Sequence, residues 1–309
     1  MDWSGSTGFS FCRYSLTIIS RTQPNSEDNL SHFGSSMIYA SYVKWVEAAG
    51  GRAVPIHYDS SPERITELFN SVNGVLYMGG ASDIQSYNPY YNAGLQLFEL
   101  TKKANEAGKH TPLWGTCLGH EFLAVMVSED FNILDTGFKA ENLSLPLDFT
   151  NEAKDSVMFA HAPQSVMESL AIEKITSNEH GMGVTPSRFY GNKKLNDFFK
   201  VLSTNKDRVG AEFVSAFEAR DFPIFGVQFH PEKNVFEFEK HHDTSHTASA
   251  ISAALYMATE FINHARRNPN TFATEKGEYD ALIYAHEPTR TYTQTGGHFE
   301  QMYFFNNTD

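Results

Sequence analysis

The chain has two cysteines in 309 residues, and one of them, Cys117, stands in WGTCLGHE (114–121), a setting suited to nucleophilic chemistry. TPLWG reads as a strand and LGHEFLAVM as a helix, so Cys117 falls at the sharp strand-to-helix turn that lifts a nucleophile above a sheet. Gly115 and Gly119 flank it, where so tight a turn leaves no room for side chains. A helix N-terminus lowers a thiol pKa and turns backbone N–H groups toward developing negative charge. A buried, inert thiol is the plainer reading of any isolated cysteine. Only partners elsewhere in the chain can displace it.

A thiolate needs a base, and the base needs a group to orient it. FPIFGVQFHPE (222–232) supplies both: His230 at the end of an apolar strand and Glu232 two residues on, with Pro231 stiffening the turn between them. A third piece, YMGGAS (77–82), also follows a strand and so shares an edge of the sheet with Cys117. Its Gly-Gly turn can present one backbone N–H of an oxyanion hole, and the amide of Leu118 the other. Alone, a Gly-Gly pair is only a turn and a His only a surface or core residue. Together the three stretches supply a nucleophile, a base with its orienting carboxylate, and the donors of an oxyanion hole.

The elements that must position them follow from periodicity. YSLTIIS is a first strand, followed by a polar loop, RTQPNSEDNLSHFGSS. SMIYASYVKWVEAAGG places Ile38, Tyr42, Trp45, Val46 and Ala49 at helical spacing and closes on two glycines. RAVPI reads as a strand, SPERITELFNSV as a helix opening on Ser-Pro, NGVLYM as a strand and GLQLFELTKKANEAGK as a helix after a Tyr- and Pro-rich loop. NKKLNDFFKVL reads as a helix, EFVSAFEA and FPIFGVQF as a hairpin, and TASAISAALYMATEFINHARRN as a long amphipathic helix. The alternation predicts an α/β, three-layer α/β/α fold with a mostly parallel central sheet and helices on both faces. One domain spanning 1–309 is expected, with residues 1–13 a candidate disordered or processed N-terminus.

Composition narrows the partners. A net charge of −13 argues against a general nucleic-acid binder, though a local basic pocket for an anionic substrate remains compatible with it. Two thiols make no disulfide framework. No run of eighteen apolar residues is present, so no membrane span is expected.

GTCLGHE, the Gly-Gly turn and FHPE together resemble the class I glutamine amidotransferase-like (flavodoxin-like) superfamily, and more closely its stand-alone γ-glutamyl hydrolase family. The likeness runs from about Tyr14 to about Phe305 and includes ASYVKWVEAAG, VNGVLYMGGASD, LPLDFT, NEHGMGVTPSRF and FPIFGVQFHPEKNVFEF. It implies Cys117 as nucleophile, His230 as base and acid, Glu232 as orienting carboxylate, and Gly80 and Leu118 as oxyanion donors. It further implies Gly79, His120, Glu121 and His180 near the substrate. The implied substrates are folyl- and antifolyl-poly-γ-glutamates, hydrolysed through a thioester without metal or organic cofactor. The implied assembly is a homodimer, and the implied location lysosomal, vacuolar or extracellular; the N-terminal stretch does not read as a clear signal peptide, so a cytoplasmic location stays open. His120 stands where these hydrolases carry Phe, Met37 where they commonly carry Tyr, and Glu121 keeps their acid where amidotransferases have Gln. Two other readings stay open from sequence: an amidotransferase subunit, and a non-catalytic scaffold that has kept the fold.

Overall fold

In the computed structural model, residues 14–22 and 30–306 are described. Cys12, the candidate processed N-terminus and residues 23–29 of the polar loop after the first strand lie outside the described residues. Tyr14–Ile19 is the hub of an eight-stranded sheet, hydrogen-bonded in parallel to Gly51–Ile56 on one side and Gly74–Tyr77 on the other. Leu113–Thr116 and then Ile224–Val227 extend the parallel run. Beyond them Glu212–Ala219, Phe199–Lys206 and Asp148–Phe149 continue antiparallel. The sheet is thus parallel through its functional half and antiparallel in the other. Pro55 is tolerated because its strand, Gly51–Ile56, is the sheet edge.

Alternation along the parallel strands sends side chains to two separate cores. Leu16, Leu76, Trp114 and Phe225 face one side, against the helices Ala40–Ala48 and Ala248–Ala265. Val75, Tyr77, Leu113 and Ile224 face the other, against Pro62–Phe69, Pro89–Glu106 and Leu118–Ser128. Burial on both faces is what a parallel sheet requires, and it makes the three layers. Trp45 and Trp114 are both buried with ring centroids 5.4 Å apart, fixing the helix Ala40–Ala48 against the strand that carries the nucleophile. Truncating a ring so buried to Ala costs about 3–5 kcal/mol. Tyr42, three residues earlier on the same helix face, is thereby aimed at the strand ends.

Three boundaries differ from the periodicity. Ser36–Tyr39 is a strand, not the first turn of a helix, because Gln301–Phe305 from the tail pairs with it antiparallel; Ile38 sits opposite Tyr303. The helix predicted from Gly94 begins earlier, at Pro89, where the Asn88 side chain accepts the Tyr91 N–H at 3.0 Å and proline occupies the first helical position. The helix read in NKKLNDFFKVL stops at Phe198, since Phe199–Lys206 is drawn into the sheet by Glu212–Ala219. In each case pairing or capping partners distant from the pattern decide the outcome.

Candidate active site

Cys117 lies between the strand Leu113–Thr116 and the helix Leu118–Ser128 with φ 51° and ψ −107°. A non-glycine residue at positive φ is strained, and the surrounding turn holds it there. Its N–H donates to the Val227 carbonyl at 2.8 Å, and its carbonyl accepts the Glu121 N–H at 3.0 Å. A Cβ on Gly115 would lie 2.6 Å from the Gly119 carbonyl oxygen, and one on Gly119 2.3 Å from that of Tyr77. Both glycines are required for the turn, as the sequence predicts.

Ile224–Val227 is the parallel neighbour of the nucleophile strand, with Val227 in register with Thr116. His230 therefore emerges just past the carboxyl end of the strand beside the one that delivers Cys117, the usual crevice for ligands in open α/β sheets. Its N–H donates to the Ser177 carbonyl at 2.8 Å, and its Nδ1 is 2.7 Å from Glu232 Oε1. With Nδ1–H donated to the carboxylate, Nε2 carries the lone pair that can accept a proton. Tyr42 Oη accepts the Gly79 N–H at 2.8 Å and stands 3.2 Å from His230 Nδ1. Gly79 is the floor between the two reactive groups: a Cβ there would meet His230 Cε1 at 2.6 Å, Tyr42 Oη at 2.7 Å and Cys117 Cβ at 3.2 Å.

Cys117 is only 5% exposed. Burial pushes its thiol well above the ordinary value, and the Glu121 and Glu232 carboxylates act the same way; the Lys233 ammonium and the Leu118 N–H oppose them. This corrects the lowered thiol pKa expected from a helix N-terminus: the amide contributes, but desolvation of the sulfur outweighs it. The resting group is a neutral thiol that depends on a base. Burial also pushes the Glu121 carboxyl up to about 8, against a hydrogen bond from Gln228 Nε2 at 2.9 Å. It pushes His120 down to about 3 and His180 down to about 4, so both imidazoles are neutral near pH 7.

A cavity of about 470 Å³ opens over the sulfur, lined by Tyr42, Gly80, Cys117, Glu179, His230 and Lys233, with Met37, Phe299 and Met302 as its apolar side. Gly80 has φ 137°, a conformation that favours glycine. Gly79, His120, Glu121 and His180 do not line this cavity. They are buried around it: His120 with its ring 4.2 Å from that of Phe217, and His180 with Nδ1 bonded to the Met182 carbonyl at 2.7 Å. All four stand behind the cavity wall, His120 and Glu121 because the tight turn at Cys117 points the first turn of Leu118–Ser128 into the core.

Three residues of the site escaped the sequence reading. Tyr42 was indistinguishable from a core-facing helix residue, and Glu179 from a loop acid. Lys233 directly follows His-Pro-Glu, a signal that was legible but unused. It is 3% exposed, with Nζ 5.1 Å over the ring of Phe299, and it is the one Lys or Arg among the described residues lining the cavity. A buried ammonium there provides the local positive charge that the net charge of −13 withholds elsewhere.

The Peptidase C26 family model matches residues 16–232, which include the turn at Cys117 and both His230 and Glu232. The chain is 39% identical to γ-glutamyl hydrolase B of Dictyostelium discoideum over 92% of its length and 81% of that protein. It is 39% identical to γ-glutamyl hydrolase of Rattus norvegicus, covering 90% of this chain and 86% of that one. With γ-glutamyl hydrolase of Homo sapiens it shares 37% identity over 89% and 85% of the two chains. A nucleophile elbow, a carboxylate-oriented histidine on the adjacent strand and a match over most of the molecule agree: this chain belongs to the Peptidase C26 family.

Proposed function

We propose that the chain hydrolyses γ-glutamyl amide bonds of folyl- and antifolyl-poly-γ-glutamates through a thioester on Cys117. The observation that carries this reading is the His230 Nδ1–Glu232 Oε1 contact of 2.7 Å at the strand end beside a neutral, base-dependent thiol. His230 Nε2 takes the thiol proton as sulfur attacks the γ-carbonyl carbon, and Glu232 steadies the resulting imidazolium. Gly80 and Leu118 N–H groups receive the oxyanion. As the C–N bond breaks, the imidazolium returns the proton to the leaving α-amine. Water, deprotonated by the same nitrogen, then attacks the thioester; the thiol regains a proton and a γ-carboxylate leaves.

Lys233 is suited to a substrate carboxylate at the cavity wall, and the apolar side of Met37, Phe299 and Met302 to the less polar part of the ligand. Gly79, His120, Glu121 and His180 hold the reactive groups in place from behind. From the family we infer, in addition, a homodimer and a lysosomal, vacuolar or extracellular location. Incubating the purified chain alone with a pteroylpentaglutamate, and separately with glutamine, tests the reading. Release of glutamate or shorter γ-peptides from the first supports it. Ammonia released from glutamine with no cut in the pentaglutamate favours an amidotransferase subunit, and inactivity on both favours a scaffold.

A further inference from the structure

Beside the catalytic cavity, but outside its chemistry, two segments far apart in sequence bring Glu239, His242 and His298 together. Glu239 Oε2 is 3.0 Å from His242 Nε2 and 3.1 Å from His298 Nδ1, and the three ligand atoms lie within 4.8 Å of one another. Neither nitrogen makes a hydrogen bond to that oxygen, which has no partner in hydrogen-bonding geometry. The atoms are close without pointing at each other, which is the arrangement of ligands around a shared centre. Bonds of about 2.0–2.2 Å to a tetrahedral zinc separate its ligand atoms by roughly 3.3 Å, near the two distances seen.

The surroundings support the same reading. His242 Nδ1 is 3.3 Å from Glu179 Oε2, a carboxylate near enough to favour a proton on the outer nitrogen though not in hydrogen-bonding geometry, and a proton there leaves Nε2 with the lone pair. A carboxylate fixing the tautomer of a metal-ligating histidine is a recurrent supporting contact. The Glu239 and His242 side chains are 11% and 10% exposed, whereas His298 is 52% exposed, which leaves an open side for a solvent ligand. Two imidazoles and one carboxylate suit a borderline transition cation rather than calcium or magnesium.

We propose that Glu239, His242 and His298 bind a divalent transition cation, with zinc as the representative ion. His298 sits between the strands Thr289–Arg290 and Gln301–Phe305 and lines the catalytic cavity, as does Glu179. The ion therefore ties the 291–300 segment to the segment after the short helix Lys233–Phe236, holding one wall of the cavity in place.

The test is a zinc titration of the Cys117→Ala chain against a chromophoric chelator near neutral pH, with His298→Ala and Glu239→Gln added separately to that background. Removing the thiol keeps zinc from being captured at the catalytic centre, and His298, half-exposed, is a safe truncation. The proposal expects one zinc per chain, affinity lowered at least ~10-fold by each added substitution, and slower amide exchange across 291–300 when zinc is bound. Overturning results are a stoichiometry well below one, an affinity that either substitution leaves within about threefold, or unchanged exchange in that segment.

Discussion

Glu121 offers a test in which the fold's hold on one proton becomes a stability measurement. Its carboxyl is pushed by burial from 4.5 to about 8, so the folded chain keeps a proton that the unfolded chain releases. Between those values the folded state binds more protons, so stability falls as pH rises; the favourable contribution is complete below the unfolded pKa and gone once pH passes the folded one. One pKa unit corresponds to about 1.4 kcal/mol. From pH 5 to pH 7 the loss grows by about 2.5 kcal/mol, because the unfolded carboxyl is largely ionised at the first pH and the folded one still protonated at the second. Glu121→Gln keeps the shape and an oxygen to accept the Gln228 amide, but has no proton to lose. Urea unfolding of both chains at the two pH values reads the effect. The stability of wild type relative to the variant is expected to drop by about 2.5 kcal/mol from pH 5 to pH 7. Glu237, which burial pushes up to about 7, titrates in both chains and cancels from the difference. A difference independent of pH would mean that the carboxyl ionises normally in place, and that Cys117 has a charged neighbour opposing its thiolate.

The other expectations concern the cavity and its floor. Lys233→Met keeps the apolar stem over Phe299 but removes the charge, and should lower kcat/KM by about 10- to 100-fold, the worth of a charged hydrogen bond; an unchanged value would take Lys233 out of substrate binding. Gly79→Ala should reduce kcat by ~10²-fold or more with the circular dichroism spectrum intact, since the new Cβ must displace the imidazole or Tyr42, and wild-type turnover would show slack in the site. Tyr42→Phe leaves the buried Gly79 N–H without its acceptor and should cost about 1–3 kcal/mol in urea unfolding; a neutral result would mean another acceptor takes over.

Cys117, His230, Glu232 and the Gly-Gly turn were legible because each follows a strand at a fixed offset, and a parallel sheet brings its strand ends to one edge. What the pattern could not show depended on partners remote in sequence. The tail strand Gln301–Phe305 turned Ser36–Tyr39 from helix to strand, and with it delivered Met37, Phe299 and Met302 to the cavity. Tyr42 reaches His230 only because Trp45 locks its helix against Trp114. The thiol pKa was misjudged for a related reason: helix polarity is visible in sequence, whereas the burial that outweighs it is not.

The most direct test of the central claim is turnover of a pteroylpolyglutamate by wild type and Cys117→Ala, each shown to be folded. The account predicts γ-peptide or glutamate release by wild type and a fall of ~10⁴-fold or more in kcat for the variant. Cleavage by the variant within about tenfold of wild type would contradict a thioester on Cys117.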